Sequence, residues 1–353
     1  IEVIGTPIRA QIDATGSYSL ELPAGTYQLA VHAQGHTLGK AKRTVQAGQA
    51  IRQDFALAAA PSILLIDSGQ WYFTSQADYY REGLFDTSHT FDFHAIRDPH
   101  NDVPTLAQLE SYDIVIWSAP HDSIGQIGAN DVITDYLGAG GNLLISGEDI
   151  AFYDGLGFGT QTWFFRRMGA LFDGETTPET IIQGMDDTPF AALNLNLNGG
   201  DSAGNQHSPD QSRLREETLT KPIFSYDNQQ YAGLMAGHCE PFQIVYLGFG
   251  LEGISHAADR AELLQRSFDH FAAPLITSGL HMTPKAVDDF AIPSDQLVYT
   301  FTVRNLSETV TETFNISEVG SVWPTSLLTE TVTLGPCESA ETVLTIEVPA
   351  DAA

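Results

Sequence analysis

Between Ile63 and Phe271 the chain alternates short, continuous apolar runs with segments of helical periodicity. That alternation restricts this stretch to a largely parallel sheet covered by helices on both faces, because strands buried on both faces lose the polar alternation of a half-exposed strand. The strands are read at Ile63–Ile66, Phe91–Ile96, Ile114–Trp117, Asn142–Ile145, Tyr231–Ala236 and Phe242–Phe249. The helices are read at Gln76–Leu84, Thr105–Glu110, Asn130–Leu137, Trp163–Met168 and Ala257–Phe271, the last with Leu263, Leu264, Phe268 and Phe271 on one face. Residues 171–230 carry no clear period, and the polar stretch Asn194–Ser212 reads as an excursion from the sheet.

The flanks read differently. From Gly16 to His36, Tyr18, Leu20 and Leu22 alternate with polar residues, Pro23-Ala24-Gly25 turns, and Tyr27, Leu29 and Val31 alternate again. The expectation is a hairpin, followed by strands at Gly39–Val45 and Ile51–Leu57, in a small β-sandwich over residues 1–60. After Pro274 the chain is all-β once more, with alternation through Leu297, Tyr299, Phe301 and Val303, then Phe314 and Ile316, and a last strand before the C-terminus. The expected organisation is three domains, at 1–60, 61–274 and 275–353, the last a partial sandwich. The chain opens inside an apparent strand, so it reads as a piece of a longer protein.

Charge narrows the partners. Forty-five acidic residues against 16 Lys and Arg give a formal charge of −29, a surface that repels nucleic acid and anionic lipid. No run of about 18 apolar residues occurs, so no membrane insertion is expected. Two cysteines, Cys239 and Cys337, are too few for a disulfide framework or a zinc site, and two buried free thiols are preferred over one bridge between the central and last domains.

In an open α/β sheet, ligands sit beyond the carboxyl ends of the strands. Those ends carry Asp67, His121, Ser146, Glu148, Asp149 and Glu252. Ser146, His121 and Glu252 are the members of a candidate hydrolytic triad, but Leu144-Ile145-Ser146-Gly147-Glu148 is not the G-x-S-x-G elbow that exposes a nucleophile. Asp67, Glu148, Asp149 and Glu252 are hard oxygen ligands, candidates for one structural Ca²⁺. Trp71 and Tyr72 follow the first strand and, with Asp67, His121, Glu148 and Asp149, are candidate ligand-binding residues. No dinucleotide fingerprint, P-loop or H-E-x-x-H motif is present, and no cofactor is expected.

Four segments, "ILLIDSG", "YDIVIWSAP", "YLGAGGNLLISGEDIAF" and "IVYLGFGLEGISHAADRAELLQRSFDHF", together resemble the class I glutamine-amidotransferase-like superfamily, in its non-catalytic branch. The resemblance implies a flavodoxin-like α/β domain. Active members carry a nucleophilic cysteine on the turn after the fourth strand; here that position is Gly147, or Ser146 one residue earlier, and the later His-Glu pair has no match. "GSYSLELPAGTYQLAVHAQGH" and "VQAGQAIRQDFAL" resemble the carboxypeptidase regulatory-like domain, a transthyretin-like sandwich. "DQLVYTFTVRNLSET" to "SVWPTS" resembles bacterial Ig-like or fibronectin-like repeats. Together these imply an accessory region of a secreted or cell-surface bacterial exoprotein such as a subtilisin-like (S8) peptidase. That region would be structural or interacting, not catalytic, with the other domains of the same polypeptide and an extracellular peptide or glycan as partners. The peptidase's own signatures are absent; Asp67-Ser68-Gly69 only ends a strand of another fold.

Overall fold

The computed structural model describes residues 1–156, 162–177, 181–215, 218–227, 229–273 and 278–352. It divides into two compact units, Ile1–Leu214 with Thr220–Ala236 and Pro241–Phe268, and Asp269–Ala353 with Arg215–Leu219 and Gly237–Glu240. The architecture is mixed α/β with several sheets. Among the described residues no helix is long and apolar enough to cross a membrane.

The first unit opens with a three-stranded antiparallel sheet of β1 (Glu2–Val3), β2 (Gly25–Val31) and β3 (Gly39–Val45). The expected hairpin across Pro23-Ala24-Gly25 is not formed. β2 pairs instead with β3, from Gly25 opposite Val45 to Val31 opposite Gly39. The segments 16–22 and 51–57 make no ladder; they meet through side chains, with the Tyr18 hydroxyl donating to Gln53 O and its ring 6.4 Å from that of Phe55. Alternation states which face a side chain takes, not which strand it pairs with, and a segment laid over a sheet satisfies it equally.

The α/β core follows in the expected order: β4 (Ile63–Asp67), α1 (Ala77–Asp86), β5 (Asp92–Ala95), α2 (Leu106–Leu109), β6 (Ile114–Ser118), α3 (Asn130–Gly138), β7 (Asn142–Ser146) and α4 (Ile150–Gly155). A π-helical turn, Phe164–Met168, takes the place of the helix read at 163–168. β8 (Ala170–Glu175), β9 (Ile181–Gly184), β10 (Asn194–Asn196), β11 (Asp210–Leu214), β12 (Lys221–Tyr226), β13 (Tyr231–Ala236) and β14 (Gln243–Leu247) come next, and α5 (Ala257–Phe271) closes the domain. The parallel strands lie in the order β5-β4-β6-β7-β14, which by chain position is 2-1-3-4-5, the flavodoxin-like order. β13, β12, β9 and β10 extend the sheet antiparallel from β14. The stretch read as an irregular excursion therefore supplies strands of the same sheet.

The central strands are apolar throughout because both faces are covered: Leu64–Ile66, Val115–Trp117 and Leu143–Ile145 are buried together with Trp163, Phe164 and Tyr246. Parallel register aligns Asp67, Ser118, Ser146 and Leu247 in one row, so the residues that follow each strand open on one edge of the sheet.

The second unit contains an antiparallel sheet ordered β15 (Leu280–Thr283), β16 (Gln296–Asn305), β20 (Ser339–Glu347) and β18 (Thr325–Leu327), and a two-stranded sheet of β17 (Glu312–Asn315) and β19 (Thr331–Leu334). Cys239 and Cys337 are joined in a disulfide, their Cα atoms 5.3 Å apart, so the expectation of two free thiols is corrected. Both cysteines belong to this unit. Asn305 is buried and its amide donates to Val310 O, Leu334 O and Gly335 O, so this side chain ties the end of β16 to the neighbouring turns.

Candidate functional site

The edge beyond β4, β6 and β7 is built from side chains that the sheet itself positions. Asp122, four residues past β6, is fully buried and accepts three hydrogen bonds: from Ser68 Oγ at 2.8 Å, Trp71 Nε1 at 3.1 Å and the Tyr72 hydroxyl at 3.4 Å. The Tyr72 hydroxyl in turn accepts from the His121 backbone N–H at 3.0 Å. Asp122 thus fixes the turn Gly69–Tyr72 against the β6 loop. Burial pushes its carboxyl up to about 7, against the hydrogen bonds from Trp71, Ser68 and Tyr72, which pull it down.

A carboxyl whose folded pKa exceeds its unfolded value keeps its proton where the unfolded chain has released it. Between pH about 4 and about 7 the folded state then binds more protons, and stability falls as pH rises. Asp122→Asn mimics the protonated form. The stability of the wild type relative to this variant is expected to fall by about 3 kcal/mol from pH 4.5 to pH 8 in urea unfolding. A gap that does not move with pH would contradict the assignment.

His121, Glu148 and Asp149 converge beside this turn. His121 Nδ1 lies 2.9 Å from Glu148 Oε1 and 4.0 Å from Asp149 Oδ2. The other oxygen of Glu148 accepts from the backbone N–H groups of His207 at 2.7 Å and Ser208 at 3.1 Å. Glu148 is buried, whereas His121 and Asp149 remain 30% and 22% exposed at the side chain. The hydrogen bond to Glu148 raises the His121 pKa, while burial followed by the neighbouring Glu148 charge lifts Asp149 to about 6.

The other expected residues are committed elsewhere. Ser146 Oγ donates to Phe249 O at 2.9 Å and accepts from Leu251 N–H at 2.6 Å, so the hydroxyl clasps β7 to the turn after β14 and has no proton for a histidine. Glu252 is buried among Asn205, Gln206 and Tyr80, which donate to it at 3.1, 3.4 and 3.4 Å. Its charge reaches His121 without a hydrogen bond between them. Asp67 accepts from Gly69 N–H and Ser75 Oγ and shapes its own turn, and burial raises it. Of the four carboxylates expected to share one ion, only Glu148 and Asp149 meet at the His121 centre.

The structure also brings in residues that local sequence does not flag. Phe73, next to Tyr72, is 96% exposed and stands at φ +66°, a left-handed conformation uncommon for an aromatic residue. Asp210 accepts from Ala151 and Phe152 N–H with one oxygen. The elbow position is the sharpest case. A Cβ on Gly147 would stand 1.7 Å from Ala119 O and 2.7 Å from Ala119 C, both backbone atoms. The site can host no side chain at 147, least of all a nucleophile.

No family model matches the chain, and no curated protein does. Among solved structures it is similar to a ThuA-like protein from Parabacteroides merdae ATCC 43184, at 11% identity and TM-score 0.40 over 60% of this chain and 89% of the other. A ThuA-like protein from Bacteroides uniformis ATCC 8492 is similar at 11% identity and TM-score 0.38, with the same coverage of both chains.

Proposed function

We propose that this chain is a non-catalytic interaction region of a secreted multidomain protein, with the edge beyond β4, β6 and β7 as its contact surface for a neutral extracellular glycan. Gly147 carries the reading: an elbow packed against backbone leaves no room for the residue that acyl transfer would need. The committed hydroxyl of Ser146 supports it, because the alternative of a divergent serine hydrolase loses its nucleophile. The Cys239–Cys337 disulfide supports an oxidising compartment. A subtilisin-like peptidase as parent rests on the sequence resemblance alone.

A glycan suits the chemistry of the surface. A −29 chain discourages anionic ligands. Phe73 offers an exposed ring, Trp71 and Tyr72 stand half-buried beside it, and Asp149 is a partly exposed acceptor for hydroxyls. Strained backbone tends to be kept where it serves a site. Phe73→Gly is therefore expected to raise stability by about 0.5–1 kcal/mol, since glycine takes φ +66° freely. It is expected at the same time to weaken oligosaccharide binding about 10-fold, measured by calorimetric titration against a panel of neutral oligosaccharides. Unchanged affinity in this variant would remove Phe73 from the surface.

A further inference from the structure

We propose that His121, Glu148 and Asp149 form a site for one divalent transition-metal ion, held by His121 Nδ1, Glu148 Oε1 and Asp149 Oδ2. Each of the three residues offers one ligand atom, and these lie within 4.8 Å of one another. Two ligands bound to one ion at about 2.0–2.2 Å stand roughly 3 to 4.4 Å apart, and the separations from His121, 2.9 and 4.0 Å, fall at about those limits. The donors come from the ends of two adjacent parallel strands, β6 and β7, so the sheet fixes their spacing.

The outer shell is in place as well. Glu148 uses its second oxygen on the His207 and Ser208 N–H groups, which leaves Oε1 turned to His121; carboxylate ligands are oriented in this way. Charge points the same way. Among the described residues the only ion-pair partner of Glu148 and Asp149 is His121, and no Lys or Arg joins them. Asp210 stands near enough for the Asp149 charge to act on it, with burial the larger cause raising its carboxyl, and its buried Oδ1 has no hydrogen-bond partner among the described residues. Two carboxylates and a neutral imidazole match a +2 ion.

The donor set selects the ion. One imidazole and two carboxylates, with His121 and Asp149 partly exposed, suit Zn²⁺ or a similar borderline cation with an open position toward solvent. Ca²⁺ asks for six to eight oxygens and has no use for the imidazole. Ion binding goes beyond the glycan reading and is expected whether or not an oligosaccharide binds.

The test is calorimetric titration of the intact, chelator-treated chain with ZnCl₂ at pH 7.5, repeated in excess CaCl₂. One Zn²⁺ per chain is expected, undisturbed by calcium. His121→Ala, Glu148→Gln and Asp149→Asn should each weaken it by about 10-fold or more, while Phe73→Gly leaves it unchanged. Circular dichroism confirms that each variant is folded. Should one of them fail to fold, visible absorption of Co²⁺ bound to the wild type reports whether a nitrogen-and-oxygen site of low coordination number exists. No heat of binding, a Co²⁺ spectrum of the free hydrated ion, or full affinity in the folded His121→Ala and Glu148→Gln variants would overturn the proposal. Loss of glycan binding with zinc binding intact would instead count against the glycan reading alone.

Discussion

Gly147→Cys is expected to destabilise the first unit by about 3 kcal/mol or more and to yield no amidotransferase or hydrolase activity. The cause is where the new atom would go. Its contacts at 1.7 and 2.7 Å are with the carbonyl group of Ala119, which cannot rotate away as a side-chain tip could. Relief requires β6 and β7 to part at their ends. That would strain the bond from Ala119 N–H to Ser146 O and the clasp of Ser146 Oγ on Phe249 and Leu251. Gly128→Ala serves as the control. Gly128 stands at φ +77°, and a Cβ added there would meet nothing within 4 Å, so its cost is conformational only, about 1 kcal/mol. Urea unfolding of both variants separates the two costs. A Gly147→Cys protein of wild-type stability, or one that hydrolyses glutamine, would show that the elbow is open after all.

Removing the disulfide is the second large effect. Cys239 and Cys337 are 98 residues apart in sequence, and closing a loop of that length restricts the unfolded chain by about 4–5 kcal/mol on the chain-entropy account. The bonds around it are local to the second unit: Arg304 donates to Cys239 O at 3.1 Å and to Cys337 O at 3.3 Å. The Cys239→Ser/Cys337→Ser variant, and the wild type under reducing conditions, are both expected to unfold at lower denaturant by about 3–5 kcal/mol. Equal midpoints with and without reductant would refute this.

Much of the α/β core was legible because of burial. β4, β6, β7 and β14 are apolar on both faces, and a run of that kind between helical segments has few other destinations. The row of strand ends followed from that sheet, and it is why His121, Glu148 and Asp149 share one edge. Their meeting was not legible, nor was the separation of Glu252 and Asp67 from them, since side-chain direction after a strand depends on turns with no periodic signal. β10 shows the limit well: of Asn194–Asn196 only Leu195 is buried, so a real strand carries a single apolar residue. Residues 16–22 show the converse, a clean alternation that forms no ladder. Gly147 could be read as the loss of a cysteine, but not as a position closed by the backbone of the neighbouring strand.

Saturation-transfer NMR on the intact chain mixed with neutral oligosaccharides tests the central reading most directly, because binding and the integrity of the ligand are read from the same sample. Transfer from the protein to the sugar protons is expected, reduced by Phe73→Gly, with the sugar spectrum unchanged over days. New anomeric signals that accumulate with time would contradict a non-catalytic surface, and the absence of transfer to every oligosaccharide would contradict a glycan-binding one.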